Sequence, residues 1–193
     1  MESVSIVLST LALAVSMVTA WLTLFRRGTL HMTQPAVIFF GPNINGVSQI
    51  YLRTLLYSTG RRGQLVENMF VKVRHGESVQ NLNIREYGEV GRLVRGSGLF
   101  VPQEGVAFDH HFLLPPGATF EFLAGEYQLE TCASLVGKTT SLVLNKVALT
   151  VDSQQAGSIK AGQGLFFEWG PDSRKYHPHV GKRPEPSMPP RLV

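Results

Sequence analysis

The chain has one cysteine, Cys132, among its 193 residues, which excludes an intramolecular disulfide. It has no Asn-x-Ser/Thr triplet, so an N-linked glycan has no acceptor. It has no charged residue from 3 to 25, and no lysine or arginine before Arg26. The cysteine pairs and His-Glu motifs from which zinc sites are assembled are missing, and no metal-ligand set can be drawn. Long basic runs interleaved with aromatics are missing too, although Lys and Arg outnumber Asp and Glu by 18 to 14. Specific nucleic-acid binding is therefore not expected. The visible basic clusters are Arg26-Arg27, Arg61-Arg62, Arg74 with His75, Arg92 with Arg95, and the C-terminal tail. They favour an anionic membrane surface, the tail above all.

Fragments of catalytic motifs occur, and each lacks a part. Gly137-Lys138-Thr139 copies the end of a phosphate-binding loop, but Cys132 stands where the loop needs its first glycine. The residues that follow, 141–151, alternate at strand period where a helix is required. Ser97 lies between Gly96 and Gly98 without the strand–turn–helix setting of an activated serine. In Asp109-His110-His111, adjacent strand residues face opposite ways. His110 then joins Val106, Phe108 and Phe112 on an apolar face, and Asp109 and His111 share a surface face. His177-Pro178-His179 offers two imidazoles, short of a ligand set. Pro186-x-x-Pro189-x-Arg191 matches a polyproline-II ligand with a flanking cation, a short pattern that proline-rich tails produce by chance. No nucleophile, base and oxyanion donors can be assembled, so the chain is expected to be no enzyme, with no catalytic residue, cofactor or metal. An enzyme of unrecognised type is the least favoured alternative.

What is present begins with the apolar N-terminus. Residues 3–25 at about 1.5 Å each reach roughly 35 Å, enough to cross a hydrocarbon core of about 30 Å. Trp21 lies at the depth favoured by interfacial aromatics. Arg26 and Arg27 follow at once, and the positive-inside rule puts the N-terminus outside and the remaining chain in the cytoplasm, as a single-pass protein. The alternatives are a secreted or periplasmic protein, because Val18-Thr19-Ala20 has the small-residue pattern of a signal cleavage site, and an uncleaved anchor with the domain outside. Against cleavage, a basic n-region is missing and the apolar run continues to Phe25. Ser5, Ser9, Ala12, Ser16, Thr19 and Thr23 recur at alternating spacings of four and three, with Ala20 beside them. This is one helical stripe of small residues, which lets helices approach closely in lipid. Self-association or pairing with a partner helix follows as an expectation; the competing reading is that the hydroxyls bond back to their own helix.

Beyond residue 27, apolar runs alternate with period two between Gly, Pro and Asn turns. The runs are 35–40, 47–58, 65–74, 78–86, 99–102, 106–114, 126–136 and 141–151. Seven to nine strands with turns every 8 to 12 residues predict an all-β antiparallel sandwich. In the last pair, Tyr127, Leu129, Thr131, Ala133 and Leu135 share one face and Gln128, Glu130, Cys132 and Ser134 the other. The phrase Pro115-Pro116-Gly117, then Gly125-Glu126-Tyr127-x-Leu129-x-Thr131 and a closing hairpin, resembles an immunoglobulin-like or fibronectin-III-like sandwich. The resemblance implies architecture over residues 35–151 and no function. Residues 152–162 read as a helical turn or loop, and 165–169 as an edge strand or strap. Six of the eleven prolines lie from 171 onward, and such a composition predicts a disordered basic tail.

The domain plan is therefore an anchor and basic flank at 1–27, a sandwich at 28–170 and the tail at 171–193. The expected role is a membrane-anchored, non-enzymatic module that binds an unknown partner protein at a sheet face or edge. Arg53, Arg61, Arg62 and Arg92, on or beside turns, are the expected contacts. A structural subunit of a membrane complex, or a homo-oligomer joined through the helix, is the alternative.

Overall fold

The alternation that defines the strands also decides which side chains form the core. In the run Gly125–Leu135 the odd positions Tyr127, Leu129, Thr131, Ala133 and Leu135 are all buried, as the sequence pattern requires. In Ser48–Ser58 the even positions Ile50, Leu52, Thr54, Leu56 and Ser58 are buried in the same way. The computed structural model describes residues 2–24, 28–43, 46–89, 92–96 and 98–182.

The elements run α1 Glu2–Leu24, β1 Leu30–Met32, β2 Val37–Pro42, β3 Ser48–Ser58, β4 Gln64–His75, β5 Ser78–Glu89 and β6 Arg92–Arg95. They continue with β7 Leu99–Val101, β8 Val106–Leu113, β9 Gly125–Leu135, β10 Leu142–Val151, α2 Ser153–Lys160, β11 Gly164–Gly170 and β12 Lys175–Gly181. All the strands belong to one antiparallel sheet, ordered β10-β9-β4-β5-β8-β3-β2-β11-β12. Strand β1 adds to β3, β6 to β5 and β7 to β4.

This corrects the expected sandwich. The chain is all-β with an N-terminal apolar helix, but its strands form a single, nearly closed, barrel-like sheet. The reason is visible in strand length. Strands β3, β4, β5 and β9 have 11 or 12 residues each, about twice the usual length. Bulges at Val66/Asn68 in β4, Ile84/Glu86 in β5 and Val143/Asn145 in β10 bend the sheet around one core. Period-two alternation is the same in a barrel and in a sandwich, so the pattern alone cannot separate them.

The core is one continuous cluster. Phe40 is its aromatic hub, stacked on Phe122 at 4.8 Å and edge-on to Phe167 at 5.3 Å and Tyr127 at 5.5 Å. One end of the barrel is covered by α2, which inserts Ile159 into that cluster. A capping box starts α2: Asp152 accepts from the Gln155 backbone and the Gln155 side chain accepts from the Asp152 backbone. The chain enters at the other end. There the Thr29 backbone exchanges bonds with Thr59, and Gln64 Nε2 donates to the Gly28 carbonyl at 2.8 Å.

The tail boundary at 171 also moves. Residues 175–181 form β12, bonded along its length to β11, because Tyr176 gains a half-buried site that offsets ordering cost. Residues 183–193 lie outside the described residues, and the proline-rich motif 186–191 with them.

Candidate functional site

Among the described residues β10 pairs with β9 alone and β12 with β11 alone, so the main strand order ends in two edges; β1, β6 and β7 also have one neighbour each, and β1 lies close to β10. Both edges border one open cleft of about 450 Å³. One wall is the run 146–150 of β10; the other is Arg174, Lys175, Tyr176 and Pro178 on and beside β12. Phe167 and Trp169 of β11 line it as well. The Trp169 and Tyr176 rings meet edge-on at 5.1 Å.

A short polar relay spans the cleft. Asn145 Nδ2 donates to Gln34 Oε1 at 3.4 Å, Gln34 Nε2 donates to the Tyr176 hydroxyl at 2.9 Å, and that hydroxyl donates to the Pro35 carbonyl at 2.8 Å. Burial pushes the Tyr176 pKa upward, against the opposing effect of the Gln34 hydrogen bond. Lys146 reaches Glu130 at 2.6 Å, and this hydrogen bond holds the Glu130 carboxyl below its ordinary range. The chemistry on offer is therefore backbone pairing, aromatic contact and positive charge from Arg174 and Lys175.

A second arrangement lies on the outer face. The register aligns His179, Phe166, Phe39, Tyr51, His111 and Glu86 in one row across six strands. Phe39 stacks on Tyr51 at 5.0 Å and meets Phe166 edge-on at 4.9 Å, while Phe166 stacks on His179 at 5.2 Å. Phe39 is fully buried although it points away from the core. It lies over Gly41 and Gly164, where a Cβ would overlap its ring. Asp109 and His111, expected on the surface, are also buried: the His111 ring lies 5.2 Å from Tyr51 of this row, and Asp109 is paired with Arg53. Burial raises the Asp109 pKa, and Arg53 at 3.5 Å opposes the rise.

His110 points inward, opposite Leu52 and Tyr87, with no solvent exposure. Neither ring nitrogen has a hydrogen-bond partner. Burial, and next the neighbouring His111, push its pKa from the ordinary 6.5 down to about 4.

The four expected arginines do not converge. Arg53 stands in the middle of β3, paired with Asp109, and not beside a turn. Arg61 and Arg62 are exposed on the β3–β4 turn, and Arg92 is exposed at the start of β6. Ser5, Ser9, Ala12, Ser16, Thr19 and Ala20 fall on one face of α1, and Thr23 follows in the same helix. The Thr19 hydroxyl donates to the Val15 carbonyl at 2.8 Å, in line with the reading that these hydroxyls bond within their own helix. Sequence reading missed Trp169, Lys175 and Tyr176. The signal was Gly170-Pro171-Asp172-Ser173, a turn between two aromatic segments.

Among the described residues, no group of three or more His, Cys, Asp or Glu side chains converges as a metal site would require. Residues 3–21 form one helix long and apolar enough to cross a membrane, a property that signal sequences share. No family model, curated protein or solved structure matches this chain.

Proposed function

We propose that this chain is a membrane-anchored, non-enzymatic binding module that takes an extended segment of a partner protein into the seam between β10 and β12. The observation that carries the reading is the pair of unpartnered edges facing one cleft. An added strand gains main-chain hydrogen bonds from an edge, and alternate side chains find pockets. The two edges are unequal. Pro178 has no N–H and interrupts the ladder that β12 offers, whereas 146–150 of β10 contains no proline. Strand addition is therefore to β10, with Trp169 and Tyr176 receiving apolar side chains. Arg174 and Lys175 favour a segment that carries acidic residues. Lys146, Lys175 and Pro178 also discourage pairing between two copies of the same edge. The anchor is α1, and Arg26-Arg27 after it support an N-terminus outside and the barrel in the cytoplasm.

The test is selection from a displayed library of random extended peptides against the full chain in detergent. Recovered peptides should alternate apolar with acidic residues. Their binding should fall about tenfold or more in Lys175→Glu, an exposed position, and in Trp169→Ala, whose half-buried ring lies outside the core cluster. Peptides that bind these variants as well as the parent would remove the seam from the account.

A further inference from the structure

The end of the barrel where the chain enters combines an arginine pair with exposed apolar residues arranged in one cross-strand row. Val136, Leu65 and Phe100 form one outward row across β9, β4 and β7: Leu65 is in register with Phe100, and the Val136 amide donates to the Leu65 carbonyl at 3.0 Å. Their exposures are 55%, 47% and 55%. Single exposed apolar residues are ordinary on a soluble surface, but a contiguous row with a basic rim marks an interaction surface. The rim is Arg61 and Arg62 on the β3–β4 turn and Lys138 on the β9–β10 turn, all exposed, with Glu67, Glu104 and Asp172 opposing them in part. The Phe100 ring lies against Gly63, whose left-handed φ of +67 closes the turn that presents both arginines. The opposite end carries Glu77, Glu121, Glu126 and Asp152 against Arg74, Lys182 and Lys160, the last engaged by Glu121 at 2.9 Å.

The chain's own connectivity says what faces the basic end. Gly28 packs against Gly60 within this end, and α1 stops at Leu24. Four residue steps reach at most about 14 Å even when fully extended. With α1 in a bilayer, Gly28 and the basic, apolar end around it stay within about 14 Å of the helix end, and the α2 end lies a full strand length further away. An anionic surface attracts the arginine pair and Lys138 at the first, and gains little from the second, where acidic and basic side chains nearly balance.

We propose that this end, built from Leu65, Phe100 and Val136 with Arg61, Arg62 and Lys138, is a docking surface for the anionic bilayer in which α1 is anchored. It orients the barrel on the membrane and turns the α2 end outward. Docking fixes the angle between the barrel and the bilayer, so the seam is presented at a set angle to approaching partners.

The experiment uses the full chain in nanodiscs of phosphatidylcholine alone or mixed with phosphatidylserine. A bimane label is placed on Phe100→Cys, or on Glu77→Cys at the opposite end, and quenched by lipids brominated near the headgroup. The chain without an added cysteine supplies the background from buried Cys132. Quenching at 100 should exceed that at 77 about threefold or more, and should rise with phosphatidylserine. Arg61→Glu with Arg62→Glu should lower the docked-to-undocked ratio about tenfold. On the unsubstituted chain, amides 59–63 should exchange more slowly in the phosphatidylserine discs, a readout that needs no variant. Equal quenching at 100 and 77 overturns the proposal. So does indifference to phosphatidylserine, or amide protection that is the same in both lipids, which would point to a protein ligand for this face.

Discussion

Replacing His110 with leucine changes a group that the fold keeps neutral at a cost. The imidazole has no exposure and no hydrogen-bond partner at either nitrogen. Its pKa falls from 6.5 to about 4 on folding, chiefly by burial and secondarily through His111. A depressed histidine pKa means that the unfolded chain takes up the proton first. Stability is unaffected by this group well above pH 6.5 and is lost progressively as the pH falls from there to about 4. At 1.36 kcal/mol per pKa unit, the loss across that window is about 3 kcal/mol. Leucine, close to histidine in volume, removes both the proton uptake and the two unsatisfied nitrogens. His110→Leu should therefore be more stable than the parent by about 1 to 3 kcal/mol at neutral pH. The gap should widen by about a further 3 kcal/mol near pH 4. Asp109, whose folded pKa is raised, gains stability as the pH falls through its own window. That contribution is present in both proteins and cancels in the difference. Urea unfolding in detergent, followed by far-UV circular dichroism at a series of pH values, measures the gap directly. A gap that stays constant from pH 7 to pH 4 would refute the assignment of a buried, neutral His110.

Two further substitutions test the packing around the site. Tyr176→Phe removes the hydroxyl that joins Gln34 to the Pro35 carbonyl and should cost about 1 to 2 kcal/mol in urea melts, with the barrel's circular dichroism unchanged. Gly164→Ala places a Cβ against the Phe39 ring, which Tyr51 and Phe166 hold in place, and should cost about 1 to 3 kcal/mol. Shortening the ring in Gly164→Ala with Phe39→Leu should return part of that loss relative to the sum of the single changes; strict additivity would argue against the contact.

The strands were legible in the sequence because burial on one face of a pleated chain leaves period-two alternation, as the run from Tyr127 to Leu135 shows. The barrel was not legible, since its closure depends on bulges such as that at Val66/Asn68 and on strand order, neither of which changes the alternation. The outer burial of Phe39, Asp109 and His111 was hidden for a related reason. It arises from cross-strand neighbours far apart in the chain, such as Phe39 with Phe166. Strand β12 was obscured by composition. Its proline and two histidines read as tail, yet Tyr176 and the bonds to β11 order it. The seam inherits that difficulty, because one of its walls is β12. The expectation of a sheet-edge binder was drawn from general properties of β domains, and the residues proposed for it, Trp169, Lys175 and Tyr176, are neighbours only once the two ends of the sheet are side by side around the cleft.

Amide hydrogen exchange on β10 tests the seam most directly. In the full chain alone, the amides of 146–150 that point away from β9 should exchange quickly, and addition of a selected acidic-apolar peptide should slow those same amides and leave the outer row around Tyr51 unchanged. Fast-exchanging β10 amides that remain fast at saturating peptide, with protection appearing on another face of the barrel, would contradict the account.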